Sequence, residues 1–324
     1  MANRTRVLVT GGGGFIGSHV CRALLQKAFE VRVLDNFSTG SRENLSELAS
    51  HIEVIEGDVR NDSVVGRAIE GAQLIIHLAA KTSVPLSIEN PHETIEINTL
   101  GTLNVFEKAA RSDVKRILVA SSCSVYGDSG NLPLAETVKT HPRSPYAVSK
   151  IQGEELGEYY LAHHKLSNTH FRIFNVYGPR QDPRSEYAAV IPKFIKSILE
   201  NKPPVIFGNG LQLRDFIYVE DVALAFSEAL STVGSLPLVM NLGCGKAYTL
   251  LEMLAQLENF SKKPIAPNFQ PERMGDIFYS CADISLMKKA LNFMPRTSFE
   301  QGLRQTFEWF RETKATGGQL VRRP

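Results

Sequence analysis

The chain has 324 residues, 43% of them hydrophobic and 22% charged, which is the balance of one large folded domain, or a domain with a smaller lobe, and excludes a disordered chain. Thirty-six basic against 34 acidic side chains leave a net charge of +2, which gives no reason to expect nucleic acid or an anionic membrane as partner. No apolar run approaches the ~20 residues of a membrane helix, the N-terminus lacks a secretory pattern, and Cys21, Cys123, Cys244 and Cys281 form no CxxC pair, so a reduced, cytoplasmic protein without zinc site or disulfide framework is expected.

Strands are predicted at residues 7–10, 31–35, 52–58, 74–80 and 116–122. Each is almost continuously apolar, as parallel strands buried on both faces are, and the stretches between them are long enough for right-handed helical crossovers. The expected fold is α/β, a Rossmann-like doubly wound parallel sheet. Beyond about Phe174 glycine and proline become frequent and the strands shorten, which predicts a smaller lobe over the carboxyl edge of the sheet. The doubly wound domain is thus expected over residues 1–173, with later segments interleaved, and the smaller lobe mainly over 174–314, with a tail after it. A helix is predicted at 298–313 and a frayed tail at 315–324.

The first strand runs into Gly11, Gly14 and Gly17, followed by a helical segment at 18–27. Such a turn lets a pyrophosphate approach bare backbone at the positive end of a helix, so a dinucleotide is expected. Asp35 ends the second strand, where a carboxylate accepts hydrogen bonds from the adenosine ribose and repels a 2′-phosphate. NAD is therefore favoured over NADP, against which stand the neighbouring Arg32 and Arg42. Two readings fit Asp58: a contact to the adenine edge, or a cap at the strand end.

Tyr146 and Lys150 in SPYAVSK lie four apart, on one helix face. A nearby ammonium and a cationic nicotinamide ring are expected to lower the tyrosine pKa from about 10 by about three units, which takes roughly 4 kcal/mol. RILVASSCSVYG places Ser121 and Ser122 at the end of a buried strand, where a hydroxyl can bridge the tyrosine and a substrate oxygen.

With these residues the sequence resembles the extended short-chain dehydrogenase/reductase family, the NAD-dependent epimerases and dehydratases, and within it the nucleotide-sugar 4-epimerases. TGGGGFIGSH, LDNFSTG, GDVR, HLAA, SSCSVYG, SPYAVSK, FNVYGPRQDP, RDFIYVEDVA and ERMGD follow the family's order over nearly the whole chain. The resemblance implies a tightly held NAD, with Tyr146 as base, Lys150 on the nicotinamide ribose and Ser122 as hydroxyl relay. It implies cofactor contacts at Gly11, Gly14, Phe15, Ile16, Gly17, Asp35, Asn36, Ser38, Thr39, Gly40, Asp58, Val59, Leu78, Ala79 and Ala80. Substrate contacts are implied at Ser83, Asn175, Ala189, Val190, Phe207, Arg214, Arg273, Asp276 and Ser280. Arg214 and Arg273 suit a diphosphate, whose oxygens a guanidinium binds bidentately.

Related dehydratases carry an Asp-Glu pair directly after the catalytic hydroxyl, and decarboxylases a glutamate; here Cys123 and Ser124 occupy those positions, which argues against both reactions. Lys81 stands where relatives are often uncharged, and either reaches the cofactor or points to solvent. Ser280 aligns with the residue beside the sugar's C2 substituent, where a small side chain leaves room for an acetamido group; a one-residue shift would put Tyr279 there instead. The implied activity is interconversion of UDP-N-acetylglucosamine and UDP-N-acetylgalactosamine at C4 through a 4-keto sugar. The alternatives are UDP-glucose/galactose or a UDP-hexuronate as substrate, a simple NAD-linked dehydrogenase, and a non-catalytic NAD-binding protein. Relatives dimerise through helices corresponding to 94–110 and 146–164, so a homodimer is expected. His19, His77 and the His163–His164 pair lack metal-ligand spacing and read as core or surface residues, and Asp182 and Arg184 fit a loop turn or part of the site.

Overall fold

The computed structural model describes residues 4–130, 132–183, 189–272 and 278–315. Six strands follow in the first half of the chain: β1 (Arg6–Thr10), β2 (Glu30–Asp35), β3 (Ile52–Glu56), β4 (Leu74–His77), β5 (Arg116–Ser122) and β6 (Ser167–Ile173). The second half adds β7 (Asn175–Tyr177), β8 (Val205–Phe207), β9 (Leu213–Tyr218), β10 (Val239–Leu242), β11 (Ala247–Thr249), β12 (Asn268–Gln270) and β13 (Tyr279–Ser280). The large sheet is parallel throughout, in the order β10-β6-β5-β4-β1-β2-β3. Both of its faces are apolar because successive side chains alternate. Val7, Val9, Val31 and Val33 enter one core cluster, whereas Leu8, Leu34, Ile75 and Ile117 enter the cluster on the opposite face.

Helices cover both faces: α1 (Phe15–Gln26), α2 (Asp62–Ile69), the short α3 (Val84–Glu89) and α4 (Pro91–Ile95), α5 (Gly101–Ala110), α6 (Pro145–His164) and, beyond α7 (Val190–Leu199), which packs in the second lobe, α8 (Val219–Ser231). Helix α1 begins at Phe15, three residues before the predicted start, because Gly14 already has extended backbone and serves as its cap. The third and fourth strands end at Glu56 and His77, earlier than predicted, since the chain leaves the sheet to form the loops of the site. Strand β10 returns from the second half to the far edge of the sheet beside β6. A final helix spans Phe299–Ala315, and the remainder of the predicted tail lies outside the described residues.

The strand order reverses between β1 and β4, which opens the crevice at the carboxyl ends where open α/β sheets bind ligands. A small second sheet, β11-β9-β13 with β7 also paired to β9, adjoins it with its own core around Phe194, Phe216, Leu254 and Phe299. Among the described residues no helix is long and apolar enough to cross a membrane.

Candidate active site

The turn after β1 brings backbone and loop together as a dinucleotide requires. Gly11 has φ +73°, and a Cβ there would lie 2.8 Å from the Ala79 nitrogen; at Gly17 it would lie 2.1 Å from the Gly11 carbonyl oxygen. The loop after β4 (Leu78, Ala79, Ala80) thus rests on the glycine turn, and no side chain caps the helix at Gly14. The first N–H groups of α1, at Phe15 and Ile16, are therefore open to an anion. From the other side the 38–41 loop folds back: a Cβ on Gly40 would meet the Gly13 carbonyl carbon at 2.7 Å, and Ser41 N–H donates to Gly13 O (3.0 Å). Ser38 N–H donates to Asn36 Oδ1 (3.0 Å), which leaves Thr39 at the exposed tip.

Asp35 accepts from Gly13 N–H (2.8 Å) and Phe37 N–H (2.7 Å), one per carboxylate oxygen, which fixes its orientation and leaves a lone pair on each for ribose hydroxyls. Burial pushes its pKa up against those two donors. Arg32 serves no phosphate here: it pairs with Glu53 (2.8 Å) and donates to Ala68 O (2.9 Å) and Glu70 O (2.6 Å) at the end of α2. Arg42 lies over the Phe37 ring (4.5 Å) and pairs with Glu56. Asp58 receives Asn36 Nδ2 (2.8 Å) and pairs with Arg60 (2.8 Å), whose hydrogen bond holds its pKa at about 2; Val59 beside it is buried.

Helix α6 carries Tyr146 and Lys150, the two residues expected to serve as base and its partner. Ser144 caps it by accepting Ala147 N–H (3.2 Å) and Pro145 opens it, which puts Tyr146 in the first turn and Lys150 one turn on. The Tyr146 phenol faces Ser122, which favours its ionised form, and Lys150 Nζ donates to Ala120 O (2.9 Å) and stands 5.6 Å from the tyrosine ring centre. The expected lowering of the tyrosine pKa is not a property of the chain by itself. Burial pushes the phenol up to about 12, against the Ser122 hydrogen bond, and pushes Lys150 down to about 8, against the charge of Glu154. The ammonium spends a hydrogen bond on a backbone carbonyl, so desolvation dominates both groups.

In the second lobe Asn175, Ala189, Val190, Phe207 and Arg214 line one cavity of about 260 Å³. Lys193 also lines it, a cation that no sequence signal singles out. Arg214 Nη1 donates to Leu213 O (3.0 Å) and Phe278 O (3.3 Å). Ser280 is its register partner on β13, is buried, and hydrogen-bonds the Cys123 thiol next to Ser122, while Tyr279 points the other way, 43% exposed. Burial pushes the Cys123 thiol up to about 11. Ser83 caps α3 (Leu86 N–H, 3.2 Å). Arg184, Arg273 and Asp276 lie outside the described residues.

Lys81 reaches neither solvent alone nor an open site: its ammonium pairs with Glu93 (3.2 Å). Its backbone is clasped by Asn98, which accepts Lys81 N–H (2.8 Å) and donates to Lys81 O (3.0 Å) and Ser149 Oγ (3.0 Å). Asn98 thereby ties the loop after β4 to α6. It points inward from a π-helical turn, Glu96–Leu100, between α4 and α5, an irregularity that apolar periodicity does not reveal.

The family model described as "NAD dependent epimerase/dehydratase family" matches residues 7–243. The chain is 35% identical over 315 residues (96% of this chain, all of the relative) to a putative UDP-glucose 4-epimerase of Methanocaldococcus jannaschii. The solved UDP-N-acetylglucosamine 4-epimerase of Methanobrevibacter ruminantium M1, in complex with UDP-N-acetylmuramic acid, is 36% identical and superposes with a TM-score of 0.91 over 96% of this chain and 99% of that one. The UDP-glucuronic acid 4-epimerase of Bacillus cereus, solved with UDP-glucuronic acid and NAD, is 31% identical, with a TM-score of 0.89 over 95% and 99%. A full-length match in sequence and fold thus meets a glycine turn, an aspartate and a Ser-Tyr-Lys set in the crevice, and the chain belongs to the NAD-dependent epimerase/dehydratase family.

Proposed function

We propose that the protein is an NAD-dependent UDP-sugar 4-epimerase whose preferred substrates are UDP-N-acetylglucosamine and UDP-N-acetylgalactosamine. The observation that carries the reaction class is the joining of Ser122, Tyr146 and Lys150 at the switch point with no carboxyl group at Cys123 or Ser124. With a neutral thiol and a hydroxyl in those places, these two positions supply no acid for elimination of water.

When bound, NAD⁺ supplies a hydride acceptor that returns the hydride, together with a fixed positive charge. Gly11, Gly14 and Gly17 leave the α1 amide groups bare for its pyrophosphate, and Asp35 takes the ribose hydroxyls. Tyr146 receives the proton of the sugar 4-hydroxyl through or alongside Ser122 and later returns it to the opposite face of the ketone. From a pKa of about 12, reached with Lys150 already in place, ionising that phenol at neutral pH takes about 7 kcal/mol. Lys150 is therefore insufficient alone, which ties base activation to an occupied cofactor site. Arg214 and the cavity residues grip the nucleotide, so the hexose is left free to turn about its bond to the diphosphate.

The buried Ser280 beside Cys123 supports the N-acetyl preference, because a small side chain there leaves space for an acetamido group, and Tyr279 faces away. Exposed apolar side chains on the π-helical turn and α6 (Leu100 50%, Tyr159 51%, Leu161 40%) support a homodimer through that face. The test is to incubate purified protein, without added NAD, separately with UDP-N-acetylglucosamine, UDP-glucose and UDP-glucuronate, and to resolve products by proton NMR. Conversion of the N-acetyl sugar to its C4 epimer at the highest rate is expected. Faster conversion of either other sugar overturns the substrate reading, and no conversion of any, even with NAD supplied, overturns the reaction.

A further inference from the structure

Helix α6 carries a third inward polar residue that the reaction as described does not use. Tyr146, Lys150 and Glu154 follow at intervals of four and so form one stripe facing the carboxyl end of β5. Glu154 is 7% exposed, and all its partners are buried with it. Ser121 Oγ donates to Glu154 Oε1 (2.6 Å), Arg172 Nε to the same oxygen (3.0 Å), and Arg172 Nη2 to Oε2 (2.7 Å). Ser121 and Arg172 are register partners across β5 and β6. One turn earlier Lys150 donates to Ala120 O. Two adjacent residues of β5, Ala120 and Ser121, are thus clipped to two successive turns of α6, and the next residue of the strand is Ser122.

We infer that Glu154 is a positioning residue for the acid–base set: with Ser121 and Arg172 it fixes the register of α6 on β5, so that Tyr146 meets Ser122, and it presents the anion that faces the Lys150 ammonium. The inference rests on the epimerase reading for its kinetic consequences and on the geometry for its structural ones. A buried ion pair is a poor device for stability, since desolvating each ion costs several kcal/mol and an apolar pair of the same volume does as well. Its place next to the relay serine gives it a use that an apolar pair cannot fill. The charged and titratable groups around it are few. Arg172 and His170 come from β6, His77 from β4, Tyr146 and Lys150 from α6, and Tyr126 lies under the Arg172 guanidinium at 4.8 Å. Arg172 also donates to Glu136 O (3.2 Å). Burial lowers the Lys150 pKa, and Glu154 is the charge that opposes it.

Two variants separate charge from position. Glu154→Gln keeps the volume and an acceptor for Ser121 but leaves Arg172 uncompensated, so the potential at both Lys150 and Tyr146 turns more positive. Both groups then lose their protons more readily, and both limbs of the kcat–pH profile move to lower pH by about half a unit or more. Ser121→Ala removes a neutral tie, so kcat falls about 10-fold while KM and the limbs stay in place. An independent readout is the phenolate absorbance of Tyr146 in the NAD-loaded protein, taken as the difference from the same protein carrying Tyr146→Phe. It shifts to lower pH in Glu154→Gln. Limbs and phenolate titration unmoved in Glu154→Gln overturn the inference, as does a wild-type kcat in Ser121→Ala. If Glu154→Gln does not fold, Ser121→Ala decides: lower kcat at unchanged KM and melting temperature supports the inference. If the wild-type chain epimerises no UDP-sugar, the function reading fails, but the phenolate titration needs no substrate and still answers.

Discussion

On the proposed function two side chains decide chemistry and specificity, and each has its own test. Tyr146 faces Ser122 with an oxygen that can carry a proton between sugar and site, so Tyr146→Phe removes the proposed base and leaves the packing of its ring. Loss of a positioned general base costs about 10²- to 10⁴-fold. Steady-state kcat of Tyr146→Phe should fall within that range with KM for the UDP-sugar nearly unchanged, because Arg214 and the nucleotide cavity are untouched; a rise in KM alone would remove Tyr146 from the chemistry. Ser280→Tyr puts a phenol where a buried hydroxyl meets the Cys123 thiol. It is expected to lower kcat/KM for UDP-N-acetylglucosamine at least ~10-fold relative to UDP-glucose, the order of discrimination that steric fit supplies. Competition between the two sugars measures that ratio directly.

At the scale of elements, α6 is the piece on which the site depends, and its closeness to β6 has a specific cause. A Cβ on Gly157 would lie 2.1 Å from His170 Nε2 and 2.5 Å from Asn168 Oδ1. Gly157→Ala must therefore lift the helix or displace two buried side chains, and overpacking of this kind costs about 1–3 kcal/mol. Urea unfolding should show that loss, and kcat should fall with it because Tyr146 and Lys150 ride on the same helix. The strand beneath also explains where sequence reading stops. Strands β1 to β5 were legible because each carries three valine, isoleucine or leucine residues within a span of four. Strand β6 was not, because only Phe171 and Ile173 in it are apolar, although Asn168, His170 and Arg172 are all buried. Asn168 donates to Gly157 O (2.9 Å) and Arg172 meets Glu154, so polar partners on α6 satisfy what the pattern assigns to water. The glycine turn, Asp35 and the Tyr-Lys pair were legible because their spacing is itself the mechanism. Asn98 was hidden by its π-helical turn.

For the whole molecule the same burial of polar groups sets the response to acid. His19, His77 and His170 are all buried, and the first two tie distant parts of the chain together. His19 meets Pro179 O (3.1 Å), His77 lies between Thr10 (2.7 Å) and Thr102 (2.9 Å), and His170 contacts Asn168 (3.1 Å). Burial, the largest cause in each, lowers their pKa values from 6.5 to about 4, 3 and 3, helped by the charges of Arg180 and Lys150. These are bases whose folded pKa lies below the unfolded one, so their stabilising effect is complete above pH 6.5 and is lost as pH falls and the unfolded chain takes up protons first. At about pH 5 each lost contribution is about 2 kcal/mol, about 6 kcal/mol together. Asp215 acts in the opposite sense. It accepts three backbone N–H groups, from Cys244 (2.8 Å), Gly245 (2.9 Å) and Ala282 (3.1 Å), yet burial raises its pKa to about 6. Its protonation in the folded state returns about 1 kcal/mol at the same pH. Asp58, held at about 2, enters only below about pH 4. The net loss of about 5 kcal/mol is comparable with the whole stability of many proteins. The urea midpoint should therefore begin to fall near pH 6.5, where the unfolded histidines start to protonate, and fall most steeply between about pH 6 and 5. His77→Gln, which keeps a hydrogen-bonding group between the two threonines, should flatten that slope by about a third. A midpoint that holds constant to about pH 5 would mean that these histidines are already protonated in the fold, and would place an unrecognised counter-charge beside them.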